Sequence, residues 1–431
     1  MEQLFEAGPA GGTVASGLSI WGNPAAWLLG KKLGRSFWVF FAVAFFFDFG
    51  FSVYFFLFNL YLLDFRFNER TIGLVGGALT LGSVAGTLPA GWLARRTGLR
   101  PLLTLCLVAA PVLGAARATV MFEWAQIGLA FLAGLAMCIW GVCFLPALAR
   151  LTTEENRASA FSLVFSVSIG TSALGGLVCG YLPSWLKMAG FAMQSADVKR
   201  LILMVACAIA ALGLIPLMHL RLPPPASEPQ AQNRTDKRPW KLSPFLLRFL
   251  PSMALWTAVL ASFTPFANVY LSKDLHISLS RIGLIFSVAQ VIQLCVGLLT
   301  PLVFRWFGLV NGIVATQVAT ALAMGALAGT HSRGVAVALI LSFSATQWMS
   351  SPGLYNLLMS RVPDDERSSA SAMTLFCNAV LQSCATAAAG FLFVQFGYPR
   401  VLLGIAFLGL TAALFFGVLV APGDGRASAH T

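Results

Sequence analysis

The sequence predicts an all-α integral membrane protein: twelve transmembrane helices in two six-helix, pseudo-symmetric bundles. Three observations predict it. Only 10% of the 431 residues are charged and 58% are hydrophobic, where a soluble chain carries roughly 25% charged residues. The mean hydropathy is +0.80. The chain also repeats itself. Asn59-Leu-Tyr61-Leu62 returns as Asn268-Val-Tyr270-Leu271, an offset of 209, and Ile72-Gly73-Leu74 returns as Ile282-Gly283-Leu284, an offset of 210. Arg95…Gly98-Leu99 matches Arg305…Gly308-Leu309, and Glu154-Glu155-Asn156-Arg157 matches Asp364-Asp365-Glu366-Arg367, both again at 210. Third, a polar, proline-rich stretch separates two equal sets of apolar runs. Duplicated membrane bundles of this kind place binding sites at the repeat interface.

Each segment follows from its composition. Residues 1–36 read as a cytoplasmic tail and not as a signal peptide. Their apolar stretch is broken by Gly22-Asn23-Pro24, and the basic Lys31, Lys32 and Arg35 follow it instead of preceding it. A spanning helix needs about 20 mostly apolar residues. Six such runs fall in 37–220, near 37–63, 71–93, 101–121, 124–149, 159–182 and 201–220. Residues 221–244 form a cytoplasmic linker, rich in proline and carrying Arg234, Lys237, Arg238 and Lys241. Six more runs fall in 245–421, near 245–271, 281–304, 309–330, 335–359, 369–396 and 401–421, and 422–431 is a second cytoplasmic tail. With both termini inside, 18 of the 28 Lys and Arg lie on inner segments and 10 on outer ones. The positive-inside rule therefore puts both termini in the cytoplasm of a cell membrane.

Several function classes are disfavoured. The +12 net charge flanks apolar spans instead of forming one patch, so nucleic acid is not an expected partner. All eight cysteines sit in apolar runs without a Cys-x-x-Cys pair, which argues against disulfide and zinc frameworks. The four histidines have no metal-ligand spacing, and no phosphate-binding loop is present. An enzyme is not expected, nor is a cofactor. Glycines at 73/77, 82/86 and 176/180 have small-xxx-small spacing, which lets helices pack closely. Pro89, Pro111, Pro216 and Pro352 are expected to mark kinks.

Between the second and third runs the chain reads Gly91-Trp-Leu93-Ala94-Arg95-Arg96-Thr-Gly98-Leu99-Arg100. This resembles the signature loop of the major facilitator superfamily, Gly-x-Leu-Ala-Asp-Arg-x-Gly-Arg-Arg. Gly91, Leu93, Ala94, Arg96, Gly98 and Arg100 match. Arg95 replaces the family's acid and Leu99 the first Arg of the closing pair. The resemblance covers roughly 37–421. It implies two bundles rocking about a central cavity by alternating access, with the first, fourth, seventh and tenth helices lining it. It also implies a gating role for Gly91, Arg95, Arg96, Gly98 and Arg100. The repeat sets this basic loop opposite Asp364, Asp365 and Glu366, and sets Arg305 opposite Glu154 and Glu155. Those residues are expected to latch the inner gate.

Fifteen of the 16 acids lie in tails, loops or span ends. Only Asp48 is mid-span. A charge there costs several kcal/mol unless it faces a cavity, is paired or is protonated. Apolar surroundings disfavour its charged form, as a proton-coupling carboxylate requires. Asp48, Ser52 and Asn59 share one helical face. Candidate solute contacts are Asn59, its repeat mate Asn268, Trp140, the pairs Gln290/Gln293 and Asn378/Gln382, and Gln347, which precedes the helix-breaking Ser351-Pro352-Gly353. Paired amides on one face can hydrogen-bond a solute or tie helices together.

The expected function is secondary active transport of a small solute, with protons and membrane lipid as further partners and a monomeric state. Phenylalanine crowds the first helix and the fourth has no mid-span base, which suits proton-coupled export of a hydrophobic or amphipathic compound. The family's antiporter Gly-Pro pair is absent from Gly170-Thr-Ser-Ala-Leu-Gly175-Gly176. Proton symport of a polar, sugar-like nutrient is therefore the alternative, and a non-transporting membrane sensor is the rival from another class.

Overall fold

The computed structural model describes residues 33–188, 190, 194–220, 222, 244–330, 332–362 and 367–420. Most of the first tail, all of the second, almost all of the linker and Asp364, Asp365 and Glu366 lie outside the described residues. Thirteen helices account for nearly all of what is described: α1 Arg35–Asp64, α2 Glu69–Thr97, α3 Leu99–Thr119, α4 Glu123–Arg150, α5 Glu154–Met188, α6 Ser195–Leu212 and α7 Leu214–His219 in the first half. The second half holds α8 Pro244–Phe263, α9 Ala267–Lys273, α10 Leu279–Phe307, α11 Leu309–Gly329, α12 Arg333–Arg361 and α13 Arg367–Val420.

Eleven stretches are long and apolar enough to cross a membrane. The last, 48 residues long, would reach roughly 72 Å as one helix, against a hydrocarbon core of about 30 Å. It instead doubles back at Gly397, whose φ of 73° is left-handed backbone that glycine adopts without a steric cost. That turn supplies two crossings and makes twelve. Twelve crossings return the chain to the side on which it began. We call that side the terminus side and the opposite one the far side.

The repeat extends to the backbone. Gly98 (φ 87°) and Gly308 (φ 78°), 210 residues apart, end α2 and α10 in the same left-handed conformation. Arg66 (φ 61°) and His276 (φ 50°), also 210 apart, turn the chain after α1 and α9. In the first bundle α1 packs on α5 and α6, α2 on α4, and α3 on α4 and α6. In the second α8 and α11 pack on α13, and α12 on α10 and α11. The bundles meet through α2 with α13, α5 with α10, and α1 with α9.

One expectation about a helix break is corrected. Helix α12 runs unbroken through Ser351-Pro352-Gly353. Gly353 there lies against Phe304 and Ile313, where a Cβ would come within 2.6 and 2.8 Å of their side chains. The break falls instead between α8 and α9, where Thr264–Phe266 form one 3-10 turn. The first half breaks between α6 and α7 at Gly213.

Candidate functional site

A cavity of about 260 Å³ opens in the second bundle between α8, α12 and α13. Its walls are mostly apolar: Met253, Leu260, Leu354 and Leu375. Trp256 forms one side, and its indole Nε1 donates to Ser350 Oγ at 3.0 Å. The polar groups in the wall include Thr257, Ser351, Tyr355, Asn378 and Gln382. Asn378 and Gln382 stand one turn apart on α13, and Thr257 Oγ1 lies 3.1 Å from Asn378 Oδ1. Apolar walls with a few converging hydrogen-bonding groups are the usual form of a small-molecule site.

Asp48 lies in the first bundle and its only side-chain hydrogen bond among the described residues is to Ser168 Oγ on α5. Ser52, one turn on, donates to the Asp48 carbonyl at 2.6 Å and lies 3.3 Å from Ser172 Oγ. The ion pairs Lys199–Asp64 and Lys273–Glu69 lie elsewhere, and among the described residues no cation pairs with Asp48. Asp48 and Thr257 are 209 residues apart; Ser168 and Asn378, and Ser172 and Gln382, are each 210 apart. The carboxylate site and the amide site are thus the same place in the two repeats.

The other predicted residues divide. Asn59 and Asn268 are engaged with each other's bundle: Asn59 Nδ2 donates to the Pro265 carbonyl at 2.9 Å and Asn268 Nδ2 to the Phe56 carbonyl at 3.0 Å. Phe56 and Pro265 are themselves 209 apart, so the two bonds are pseudo-twofold mates. In this state both amides clasp the bundles. Trp140 stacks on Phe47 at 4.3 Å between ring centroids, with Phe144 at 5.4 Å and Phe40 at 6.3 Å; it is packed inside the first bundle. Gln290 and Gln293 are half-buried on α10 and lie outside the cavity wall. Gln347 Oε1 accepts from Thr264 Oγ1 at 3.5 Å, at the break before α9.

Further interbundle contacts complete a seal. Ser383 Oγ donates to the Gly77 carbonyl at 2.7 Å, and Ser287 Oγ to the Ala173 carbonyl at 2.6 Å; Gly77 and Ser287, and Ala173 and Ser383, are repeat mates. Ser280 Oγ donates to the Gly180 carbonyl at 2.8 Å. The glycines at 73/77 and 176/180 lie in these seams, whereas Gly82 and Gly86 pack within the first bundle against α4. These hydrogen bonds between the bundles all lie in their far-side half.

The described residues among those predicted to gate lie at the terminus side, where none of those bonds form. Gly91 has open space around it, and Arg95 and Arg305 are exposed. The Arg96 guanidinium lies over the Trp92 ring at 4.0 Å. Arg100 Nη2 donates to the Met218 carbonyl at 2.7 Å, inside its own bundle. Glu154 and Glu155 open α5, but their side chains, like Asp364, Asp365 and Glu366, are outside those described.

Sequence reasoning missed Ser168, Thr257 and Glu69. The first two were reachable by taking Asp48 and Asn378 across the repeat offset. Glu69, at a span end, reads as a solvated acid, yet it is 2% exposed.

The sequence profile of the Major Facilitator Superfamily matches residues 40–386. No curated protein matches the chain. Among solved structures, the chain is similar to a mutant of the nucleoside transporter NupG, with 15% identity and a TM-score of 0.75 over 89% of this chain and 100% of that one. It is similar to a D-xylose-proton symporter, with 17% identity and a TM-score of 0.71 over 90% and 99%. A bacterial homolog of the human lysosomal transporter Spinster, inward-facing and occupied, gives 14% and 0.70 over 91% and 98%. At these identities the likeness is one of fold. Together with a profile match across most of both bundles, it establishes that this multi-pass membrane chain belongs to the Major Facilitator Superfamily.

Proposed function

We propose that the chain is a proton-coupled secondary transporter that works by alternating access. The observation that carries this reading is the one-sided seal: pseudo-twofold hydrogen bonds close the far side, while the exposed basic loop and open space at Gly91 mark the terminus side. With the terminus side cytoplasmic, as the Lys and Arg distribution supports, this state faces inward. Asp48 takes the coupling role, because it is an ionisable group within a span whose hydrogen-bond partner is the neutral Ser168. The solute takes the α8–α12–α13 cavity. Its walls suit a neutral or cationic, partly apolar compound, and export of such a compound is the preferred direction.

Proton-coupled uptake of a polar solute is the second reading, favoured by the Asn378 and Gln382 amides in that wall. The two readings separate in proteoliposomes. A panel of nucleosides, sugars and lipophilic cations is first screened by thermal shift, and flux of the hits is then followed under pH gradients of either polarity. Export by antiport requires solute and proton fluxes of opposite sign; symport requires the same sign. Asp48→Asn should abolish gradient-driven accumulation and leave solute exchange partly intact. Uphill transport at the wild-type level in that variant would remove Asp48 from the coupling role.

A further inference from the structure

The outermost layer of the far-side seal is charged and does not follow the repeat. Glu69, the first residue of α2, has a side chain 3% exposed, and its Oε1 and Oε2 accept from Lys273 Nζ at 2.7 and 2.9 Å. Tyr398 donates its hydroxyl to Glu69 Oε1 at 3.3 Å. Lys273 ends α9 and Tyr398 follows the Gly397 turn, so a buried acid of the first bundle is satisfied by two groups of the second. The adjacent Arg70 also reaches across, its guanidinium 4.6 Å from the Phe391 ring centroid.

The mates of these residues do something different. Lys273 corresponds to Asp64, which bonds Lys199 of its own bundle at 2.7 Å. Glu69 corresponds to Leu279, which carries no charge. This ion pair therefore has no mate across the repeat. A desolvated carboxylate stripped of its partner is strongly unfavourable, so the bundles cannot part slightly at this point. They either hold Glu69 against Lys273 or open far enough for water to replace it. Lys273, with 54% of its side chain exposed, already touches that water.

We propose that Glu69, Lys273 and Tyr398 form an ion lock that holds the far side shut and breaks once in each transport cycle. This rests on the alternating-access reading, but its test needs no solute. Spin labels are placed at the exposed far-side residues Thr119 and Ser332, one in each bundle, through a non-canonical amino acid so that the native cysteines remain. Pulsed-EPR distances are then measured on the purified full chain in lipid nanodiscs. Wild type should show a dominant short distance. Glu69→Gln and Lys273→Met should each shift the ratio of far-side-open to closed protein by about tenfold or more. Lys273→Arg should keep the wild-type distribution, and Glu69→Lys combined with Lys273→Glu should restore the short distance. If Glu69→Gln does not fold, the half-exposed Lys273→Met decides. Wild-type distances in Lys273→Met, with or without a lower melting temperature, overturn the lock. Absence of flux in wild type alongside the expected distance shifts would instead overturn the transport reading and leave the lock standing.

Discussion

Replacing Gly73 by alanine should push the protein towards the far-side-open state. Gly73 lies where α2 crosses α13, and a Cβ built there sits 2.7 Å from the Thr386 carbonyl oxygen, 3.1 Å from Gly390 Cα and 3.3 Å from the Ala387 carbonyl oxygen. All three are backbone atoms, so no side-chain rotation relieves the clash. Ordinary contact begins at 3.4 Å, and the two helices must separate by about 0.7 Å. Overpacking of this kind costs about 1–3 kcal/mol. The intrinsic helix gain of alanine over glycine, about 1 kcal/mol, applies in both states and cancels from their ratio. The open state parts this seam and escapes the clash, so the open-to-closed ratio should rise about 5- to 150-fold. The Thr119–Ser332 distance distribution reads it. Gly50→Ala is the control. Its Cβ would meet Ala206 O at 2.6 Å and Ala210 N at 2.8 Å, a comparable clash, but between α1 and α6 of one bundle. That variant should lose melting temperature without redistributing distances. If Gly73→Ala also only lowers the melting temperature, the α2–α13 seam does not open during the cycle and the reasoning fails.

Alanine at Asn378 or Gln382 should weaken solute binding in thermal-shift titrations, whereas alanine at Gln290 or Gln293, outside the cavity wall, should leave it unchanged; equal effects at all four would mean that the cavity extends to α10. At the terminus side, Arg305→Glu should favour the inward-open state by a few-fold at most, since an exposed pair is worth about 1 kcal/mol or less, and adding Glu155→Arg should partly restore the balance. Spin-label distances across the terminus-side loops that do not move in the single variant would remove that latch.

The fold was legible because lipid imposes it. Backbone polar groups must be satisfied within helices, so apolar runs and a duplicated pattern are enough to count spans and pair them. Helix breaks were not legible. Pro265 and Pro352 both follow a hydroxyl residue inside an apolar run, yet the chain breaks at the first and continues through the second. The carbonyl at the break is taken by Asn59, 206 residues away, and sequence-local patterns carry no trace of such a partner. Glu69 escaped for the same reason. Its burial is made by Lys273 and Tyr398, 204 and 329 residues on. Asn59 and Asn268 were found as a matched pair, but whether an amide faces solute or the other bundle depends on the conformational state, and one sequence serves every state.

The duplication gives the proposed function a physical basis for treating a charge and a neutral solute separately. At one position of the repeat the first bundle holds Asp48 against Ser168, and the second holds Thr257 against Asn378. One turn further, Ser172 corresponds to Gln382. In the first bundle the α5 side chains are short hydroxyls, and the acid is the one group at the site that can change charge. In the second the corresponding groups are longer amides, and there a cavity opens. On the proposed function, coupling and solute contact occupy corresponding contacts in the two copies of the repeat. On that reading Thr257 acts on solute through Asn378, not on the proton. Thr257→Val keeps the shape and removes a hydrogen bond worth about 0.5–1.5 kcal/mol, so KM should rise about two- to tenfold while the maximal rate and the proton-to-solute ratio hold. Thr257→Ser should recover the affinity. Ser168→Ala should do the reverse, altering accumulation under a pH gradient with little effect on KM. If Thr257→Val changes the proton-to-solute ratio and spares the affinity, the two copies share both tasks and this division of roles is wrong.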